Sequence, residues 1–306
     1  MKNKKPWVHI ISICGVTTAP LAKMFKDLGW KVTGSDSGIY PPMSDFLKKN
    51  SIEVEIGFDE KRIDAKPDLV VVGGGALISD PDNPEFLAAK RLKLKIVSYP
   101  EVLSSYLIKK NSIVVAGTYG KTTTTALLSW ILKTADFNPS FMIGGLSNNF
   151  ETPITLVDSD WSVVEGDEHP TLHYSPESKF IHYRPKYALI TSCEWDHFNV
   201  FPKEKDYICR YIDFVKLIPK NGLLVVCKEG KNIDKVVKFA KCKVSYYSTF
   251  DYQGQISLLG LHNRQNVSGA YVMAKEIGID EKIIKMAIKT FKAIKRRLEV
   301  VKEMKG

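Results

Sequence analysis

Ser112-Ile-Val-Val-Ala-Gly-Thr-Tyr-Gly-Lys-Thr-Thr-Thr-Thr125 is the stretch that decides the fold of this chain. A short β-branched run leads straight into a loop with glycines at 117 and 120, then into Lys121, four threonines and an apolar helical stretch at 126–132. Strand, glycine loop and helix in that order are what a phosphate site requires, because successive backbone N–H groups and a helix N-terminus then face the anion. Lys121 reaches the terminal phosphates, and the Thr122 hydroxyl can ligate Mg²⁺. The strict G-x-x-x-x-G-K-[ST] pattern needs glycine at 115, where Val115 stands, so the motif is the shortened form G-T-x-G-K-T-T.

Outward from this loop, apolar runs at 8–13, 31–35, 69–72 and 95–98 alternate with helical spacing at 21–28, 44–49 and 84–91. After the polar Lys109-Lys110-Asn111 a second series starts at Ser112 and continues at 161–165, 187–191 and 222–227, with helical patterns at 205–217, 231–240, 263–277 and 281–293. This alternation predicts repeated βαβ units and a mainly parallel sheet in each half, hence an α/β fold. The expected domains are 1–108 and 109–295, with 296–306 starting a linker.

The chain has 306 residues, 44% hydrophobic and 25% charged, with 20 glycines and 15 prolines. That is ordinary globular composition with room for about two domains, and it excludes disorder, collagen and disulfide scaffolds. No apolar run approaches the roughly 18 to 20 residues of a membrane span. Met1-Lys-Asn-Lys-Lys followed by an apolar stretch imitates a secretion signal, but His9 and Ser12 interrupt the stretch and a glycine turn follows, so it reads as a first buried strand. The five cysteines are scattered without a C-x-x-C pair, which argues against a disulfide framework or zinc site and for a reducing cytoplasm. Net charge is +10, yet only seven of the 44 basic residues are arginine and the lysines are spread throughout. The expected partners are therefore small anions, with no nucleic acid and no membrane.

Two predicted strands end in acidic strings, Glu165-Gly-Asp-Glu-His169 and Thr191-Ser-Cys-Glu-Trp-Asp-His197. Open α/β sheets place ligands at these ends, and acidic oxygens suit Mg²⁺. Each string alone reads as readily as a solvated turn, and His197 alone as a satisfied polar residue. Two such ends beside a phosphate loop point to a metal site.

These strings, with Val32-Thr-Gly-Ser-Asp36, Tyr40-Pro-Pro-Met43, Asn83-Pro-Glu85, Ser178-Lys-Phe-Ile-His-Tyr183, Gly260-Leu-His-Asn-Arg-Gln-Asn266 and Arg296-Arg-Leu-Glu299, resemble the Mur ligase family, and within it the tripeptide-adding branch. The resemblance implies a Rossmann-like N-terminal UDP-sugar-binding domain and a central P-loop-type ATP-binding domain. It implies an ATP-dependent amide ligase that joins UDP-N-acetylmuramate to the murein tripeptide L-alanyl-γ-D-glutamyl-meso-diaminopimelate in peptidoglycan recycling. A relative that adds L-alanine and a noncatalytic nucleotide-binding remnant are the alternatives.

On the same resemblance, Gly117, Thr118, Tyr119, Gly120, Lys121, Thr122 and Thr123 cradle ATP. Lys121 and His197 are the catalytic pair, Thr122 and Glu165 hold one Mg²⁺, and His197 serves a second metal ion. His262, Asn263 and Asn266 lie against adenine and Arg297 also meets ATP, although 260–266 by itself reads as a helix start with asparagine caps. Gly15, Val16, Thr17, Asp36 and Ser37 hold the UDP-sugar. The chain departs from the family at Ser12 and Thr18-Ala-Pro20, where glycine or small residues are usual, and at His169-Pro170, where tyrosine and another residue are usual. The family continues past Arg296-Arg-Leu-Glu299 into a third domain that holds the incoming amine. The expectation is that this domain is encoded separately or that the chain is a fragment, binding Mg·ATP without ligating.

Overall fold

Apolar Trp7-Val-His-Ile-Ile11 forms β1 (Trp7–Ile11), buried along its whole length. Around it lie β2 (Lys31–Asp36), β3 (Glu55–Ile56), β4 (Leu69–Val72) and β5 (Ile96–Ser98), all parallel, in the order β3-β2-β1-β4-β5. A computed structural model of the chain describes residues 5–74, 76–171 and 177–294. It divides into two units, Met1–Tyr106 with Pro170–Pro176 and Leu107–His169 with Glu177–Gly306. The expected linker at 296–306 and Arg297 lie outside the described residues.

In the first unit β1 stops at Ile11, two residues short of the expected 8–13 run, because Ser12 turns into the left-handed region at φ +60°. β1 has β2 on one side and β4 on the other, so the strand order reverses at its C-terminal end, the switch point at which open α/β sheets bind ligands. Asn83-Pro84-Glu85 shows how one string builds a local device. Asn83 Oδ1 caps the helix Pro84–Arg91 by accepting from the N–H groups of Glu85 and Phe86, and Pro84 occupies a first-turn position that needs no donor. Glu85 then turns its carboxylate into the interior, fully buried, where it accepts from Ser35 Oγ, from Arg62 Nη1 at 3.0 Å and from the Asp59 N–H at 3.2 Å, and meets His9 Nε2 at 3.2 Å.

The second unit holds β6 (Asn111–Ala116), β7 (Ser140–Met142), β8 (Ile154–Thr155), β9 (Trp161–Glu165), β10 (Tyr187–Ile190), β11 (Leu223–Cys227) and β12 (Lys243–Tyr247). Their order is β12-β11-β10-β6-β9-β7-β8, parallel except for the β7–β8 pair. β6 sits between β9 and β10, with Val115 opposite Glu165 and Ala116 opposite Ile190, so the phosphate loop and both acidic strings leave the sheet side by side. Helix Lys121–Thr134 packs its Leu127, Leu128 and Ile131, all fully buried, into a core shared with Val267 and Ala270 of helix Leu261–Glu276 and Ile284 and Ile288 of helix Glu281–Thr290. Each such aliphatic side chain contributes roughly 1.5–3 kcal/mol.

The helix predicted at 126–132 starts earlier, at Lys121, although β-branched threonines are poor helix formers. The Thr125 hydroxyl is satisfied within the helix, where Oγ1 donates to the Lys121 carbonyl at 2.8 Å. The helix expected at 231–240 contracts to Ile233–Val237 behind a left-handed Asn232. Strands β3, β7, β8 and β12 had no counterpart in the sequence reading. Among the described residues no helix is long and apolar enough to cross a membrane.

Candidate functional site

The loop after β6 is held by glycines that no other residue could replace without movement. At Gly117, φ is +127° and an added Cβ would lie 2.1 Å from Thr191 Oγ1; at Gly120, φ is +83° and the Cβ would lie 2.1 Å from Asn266 Oδ1. The Thr118 N–H donates to the Ser192 carbonyl at 3.0 Å and its hydroxyl to the Glu194 carbonyl at 2.7 Å, tying the loop to the end of β10. Lys121 Nζ folds back to the Gly117 carbonyl at 2.7 Å and to Glu168 Oε2 at 3.1 Å.

A cavity of about 530 Å³ opens on this loop, lined by residues 118–123, Glu165, His262, Asn263, Gln265 and Asn266. The loop and the 260–266 string, far apart in sequence, thus face one space within the second unit. Asn263 and Asn266 are buried in the first turns of helix Leu261–Glu276, with Asn263 Nδ2 donating to the Leu259 carbonyl at 2.8 Å. Gly117 supports the loop without lining the cavity, and Gln265 joins the lining although the sequence reading did not select it.

Glu165 ends β9 with one oxygen accepting from the Gly144 N–H at 2.9 Å and the other from Thr122 Oγ1 at 3.0 Å. Burial pushes its carboxyl above the ordinary range, and the Lys121 charge offsets this only in part. A half-buried carboxylate beside a phosphate-loop hydroxyl, on the wall of the cavity, is an oxygen donor pair that fits Mg²⁺. Gly144 is the residue sequence reasoning missed here: a Cβ on it would sit 2.6 Å from Glu165 Oε2. Gly144→Ala should displace the carboxylate and weaken Mg²⁺-dependent nucleotide binding about tenfold while sparing metal-free binding. Calorimetry with and without Mg²⁺ checks this, and equal losses under both conditions would count against a metal role.

Glu168, fully buried, is a second centre. Besides Lys121 it meets His197 Nε2 at 3.5 Å and the Tyr207 hydroxyl at 3.4 Å. Burial pushes its carboxyl up, but the His197 hydrogen bond and the Lys121 charge outweigh it and leave the group below its usual value. The same hydrogen bond raises His197. His197 takes a left-handed backbone, φ +56°, and stands on the Glu168 side of the site, outside the cavity lining. Tyr207, which carried no signal in the sequence, links the Thr118 hydroxyl at 3.1 Å to Glu168.

In the first unit, Gly15, Val16 and Thr17 form the turn between β1 and helix Thr18–Asp27, with Val16 exposed. Asp36 braces that turn: Oδ2 accepts from the Cys14 N–H at 2.8 Å and Oδ1 from the Gly38 N–H at 3.1 Å, beside Ser37. Ser12 keeps the left-handed backbone that glycine adopts freely, and its carbonyl accepts from Thr18 Oγ1 at 2.6 Å. Burial, helped by the Asp36 charge, pushes the Cys14 thiol up to about 11.

Residues 7–110 match the model of the Mur ligase family catalytic domain, and residues 115–254 that of the Mur ligase middle domain. The chain is 31% identical to the UDP-N-acetylmuramate–L-alanyl-gamma-D-glutamyl-meso-2,6-diaminoheptandioate ligase of Escherichia coli strain K12, over 98% of this chain and 70% of that protein. It is 29% identical to the UDP-N-acetylmuramate–L-alanine ligase of Pelagibacter ubique strain HTCC1062, over 96% of this chain and 68% of that one. The crystal structure of a UDP-N-acetylmuramate:L-alanyl-gamma-D-glutamyl-meso-diaminopimelate ligase from Neisseria meningitides superposes with a TM-score of 0.86 at 29% identity, covering 96% of this chain and 100% of that chain.

Proposed function

The chain belongs to the Mur ligase family, and from that premise we propose that it is an ATP-dependent ligase forming an amide between the lactyl carboxylate of UDP-N-acetylmuramate and the amine of L-alanyl-γ-D-glutamyl-meso-diaminopimelate. The observation that carries the reading is the single cavity on which the phosphate loop, Lys121, the Thr122–Glu165 pair and the Asn263–Asn266 face converge. The tripeptide is taken from the Escherichia coli relative.

A carboxylate oxygen attacks the γ-phosphorus of ATP and ADP leaves; the amine then attacks the acyl carbon and phosphate leaves. No protein nucleophile is required, so positioning and charge compensation carry the catalysis. Lys121 moves from the Gly117 carbonyl and Glu168 to the β- and γ-phosphate oxygens, while the loop N–H groups hold the phosphates. Thr122 and Glu165 hold Mg²⁺, which when bound neutralises charge on the transferring group. His262, Asn263 and Asn266 take the adenine side of the cavity. Gly15, Val16, Thr17, Asp36 and Ser37 of the first unit take the UDP-sugar, at the strand-order switch point beyond β1.

Calorimetry tests this reading. Mg·ATP and UDP-N-acetylmuramate should each bind saturably, and UDP-N-acetylglucosamine, which lacks the lactyl carboxylate, should bind about tenfold more weakly, the worth of a charged hydrogen bond. Absence of UDP-N-acetylmuramate binding would overturn it. ADP formation stimulated by L-alanine and not by the tripeptide would instead assign the chain to the alanine-adding reaction of its Pelagibacter relative.

A further inference from the structure

We propose that Tyr207 is a positioning residue for nucleotide loading: its hydroxyl donates to Thr118 while Lys121 pairs with Glu168, and turns to donate to Glu168 when Lys121 goes to phosphate. The inference deepens the ligase reading and rests on the Lys121 movement stated there. That movement has a cost. Glu168 is fully buried, with Lys121 Nζ 3.3 Å from Oε1 and 3.1 Å from Oε2, and a buried carboxylate that loses its cation needs another donor. Among the described residues two further groups reach it, both on Oε1: His197 Nε2 at 3.5 Å and the Tyr207 hydroxyl at 3.4 Å.

Counting protons shows which way the Tyr207 hydroxyl points, since each hydroxyl has one to give. Thr118 gives its own to the Glu194 carbonyl at 2.7 Å, so across the 3.1 Å contact with Tyr207 it accepts. Tyr211, one turn further along helix Glu204–Lys216 and fully buried, has its hydroxyl 3.2 Å from that of Tyr207. Among the described residues that is its hydrogen-bond partner, so Tyr211 donates there. Tyr207 is left with one proton and two acceptors in reach, Thr118 Oγ1 at 3.1 Å and Glu168 Oε1 at 3.4 Å. It serves one at a time. Burial, helped by the Glu168 charge, pushes the Tyr207 hydroxyl well above its usual value, so the proton stays on the phenol oxygen. The shorter contact takes it while Lys121 neutralises Glu168. With Lys121 on phosphate, rotation about the Cζ–O bond redirects it to Oε1 and leaves the ring in place. Thr118 keeps its hydroxyl bond to Glu194 and its N–H bond to the Ser192 carbonyl at 3.0 Å, so the phosphate loop holds its path.

A double-mutant cycle on the full chain, read by calorimetry with Mg·ATP, tests this. Tyr207→Phe keeps the ring and removes the hydroxyl, and should weaken binding about tenfold, the worth of a hydrogen bond to a charged group. In a Glu168→Gln background, where no charge is stranded, the same change should alter affinity less than about twofold. A merely structural role for Tyr207 predicts equal losses in both backgrounds; that result, or unchanged affinity in Tyr207→Phe, would overturn the inference. The unsubstituted chain gives a second reading that depends on the folding of no variant. In buffers of different ionisation enthalpy at pH 8, Mg·ATP should bind without net uptake of a proton. Uptake of one proton would mean that Glu168 or His197 compensates by protonation, and would sink the role given to Tyr207. Each of these failures leaves the ligase reading standing, whereas a parent chain that does not bind Mg·ATP would remove both.

Discussion

Lys121→Ala is expected to weaken Mg·ATP binding by at least a hundredfold while leaving the chain folded. The side chain is only 16% exposed, and the ammonium's partners are the Gly117 carbonyl and Glu168. On phosphate it would make at least two charge-assisted hydrogen bonds, each worth about 1.5–3 kcal/mol, and roughly 1.4 kcal/mol is a tenfold change in affinity. The loop itself survives because its path is set by the left-handed backbones of Gly117 and Gly120 and by the Thr118 hydrogen bonds to the end of β10. Glu168 loses a charge partner but keeps His197 and Tyr207, so some stability is lost without unfolding. Calorimetry reads the affinity and circular dichroism the fold; a variant that binds Mg·ATP within fivefold of the parent would remove Lys121 from the phosphate site.

The second large effect is on stability and lies in the first unit. Glu85→Ala should cost about 3–5 kcal/mol, the penalty for breaking a buried charged network and leaving its partners unpaired. Glu85 is fully buried, and its oxygens serve Ser35, Arg62, the Asp59 N–H and His9, which also meets Thr33 Oγ1 at 2.9 Å. The network therefore joins β1, β2 and two connecting segments beneath the proposed UDP-sugar turn. Burial pushes the Glu85 carboxyl up, but the hydrogen bonds from His9 and Ser35 outweigh it and leave the group below 4.5. A carboxyl depressed in the folded state stabilises above its unfolded value and loses that contribution as pH falls through the folded one. The contribution of Glu85 to the stability of the first unit should thus be present in full well above pH 4.5 and be lost as pH falls below it. In Glu85→Gln that acid-induced decline should be shallower. Hydrogen exchange at the β1 and β2 amides isolates this unit from the other. Identical pH slopes in parent and variant would show that Glu85 is not the titrating group.

What the amino-acid sequence determined by itself was local. The apolar runs and the helical spacings between them specify two α/β halves because burial on both faces of a parallel strand needs an uninterrupted aliphatic run, as at Ile113 to Val115 and Leu223 to Val226. The phosphate loop was legible for a similar reason: a sharp turn between strand and helix needs glycine where φ is positive, and Gly117 and Gly120 occupy those positions. The cap at Asn83 is equally local, its side chain accepting from the N–H groups of Glu85 and Phe86. The tertiary structure alone decided which distant side chains meet. Strand order places β6 between β9 and β10, an arrangement that sequence order does not reveal, and this brings Lys121 to Glu168 across 47 positions and His169 to His197. Gly144 matters only because Glu165 lies against it, and Tyr207 only because its helix aims the hydroxyl between Thr118 and Glu168. The two-residue strands β3 and β8 form because a neighbouring strand supplies hydrogen-bond partners, with too little sequence of their own to show a period. Contacts between elements depend on how the sheet is wound, and that winding is a property of the packed whole, not of any segment.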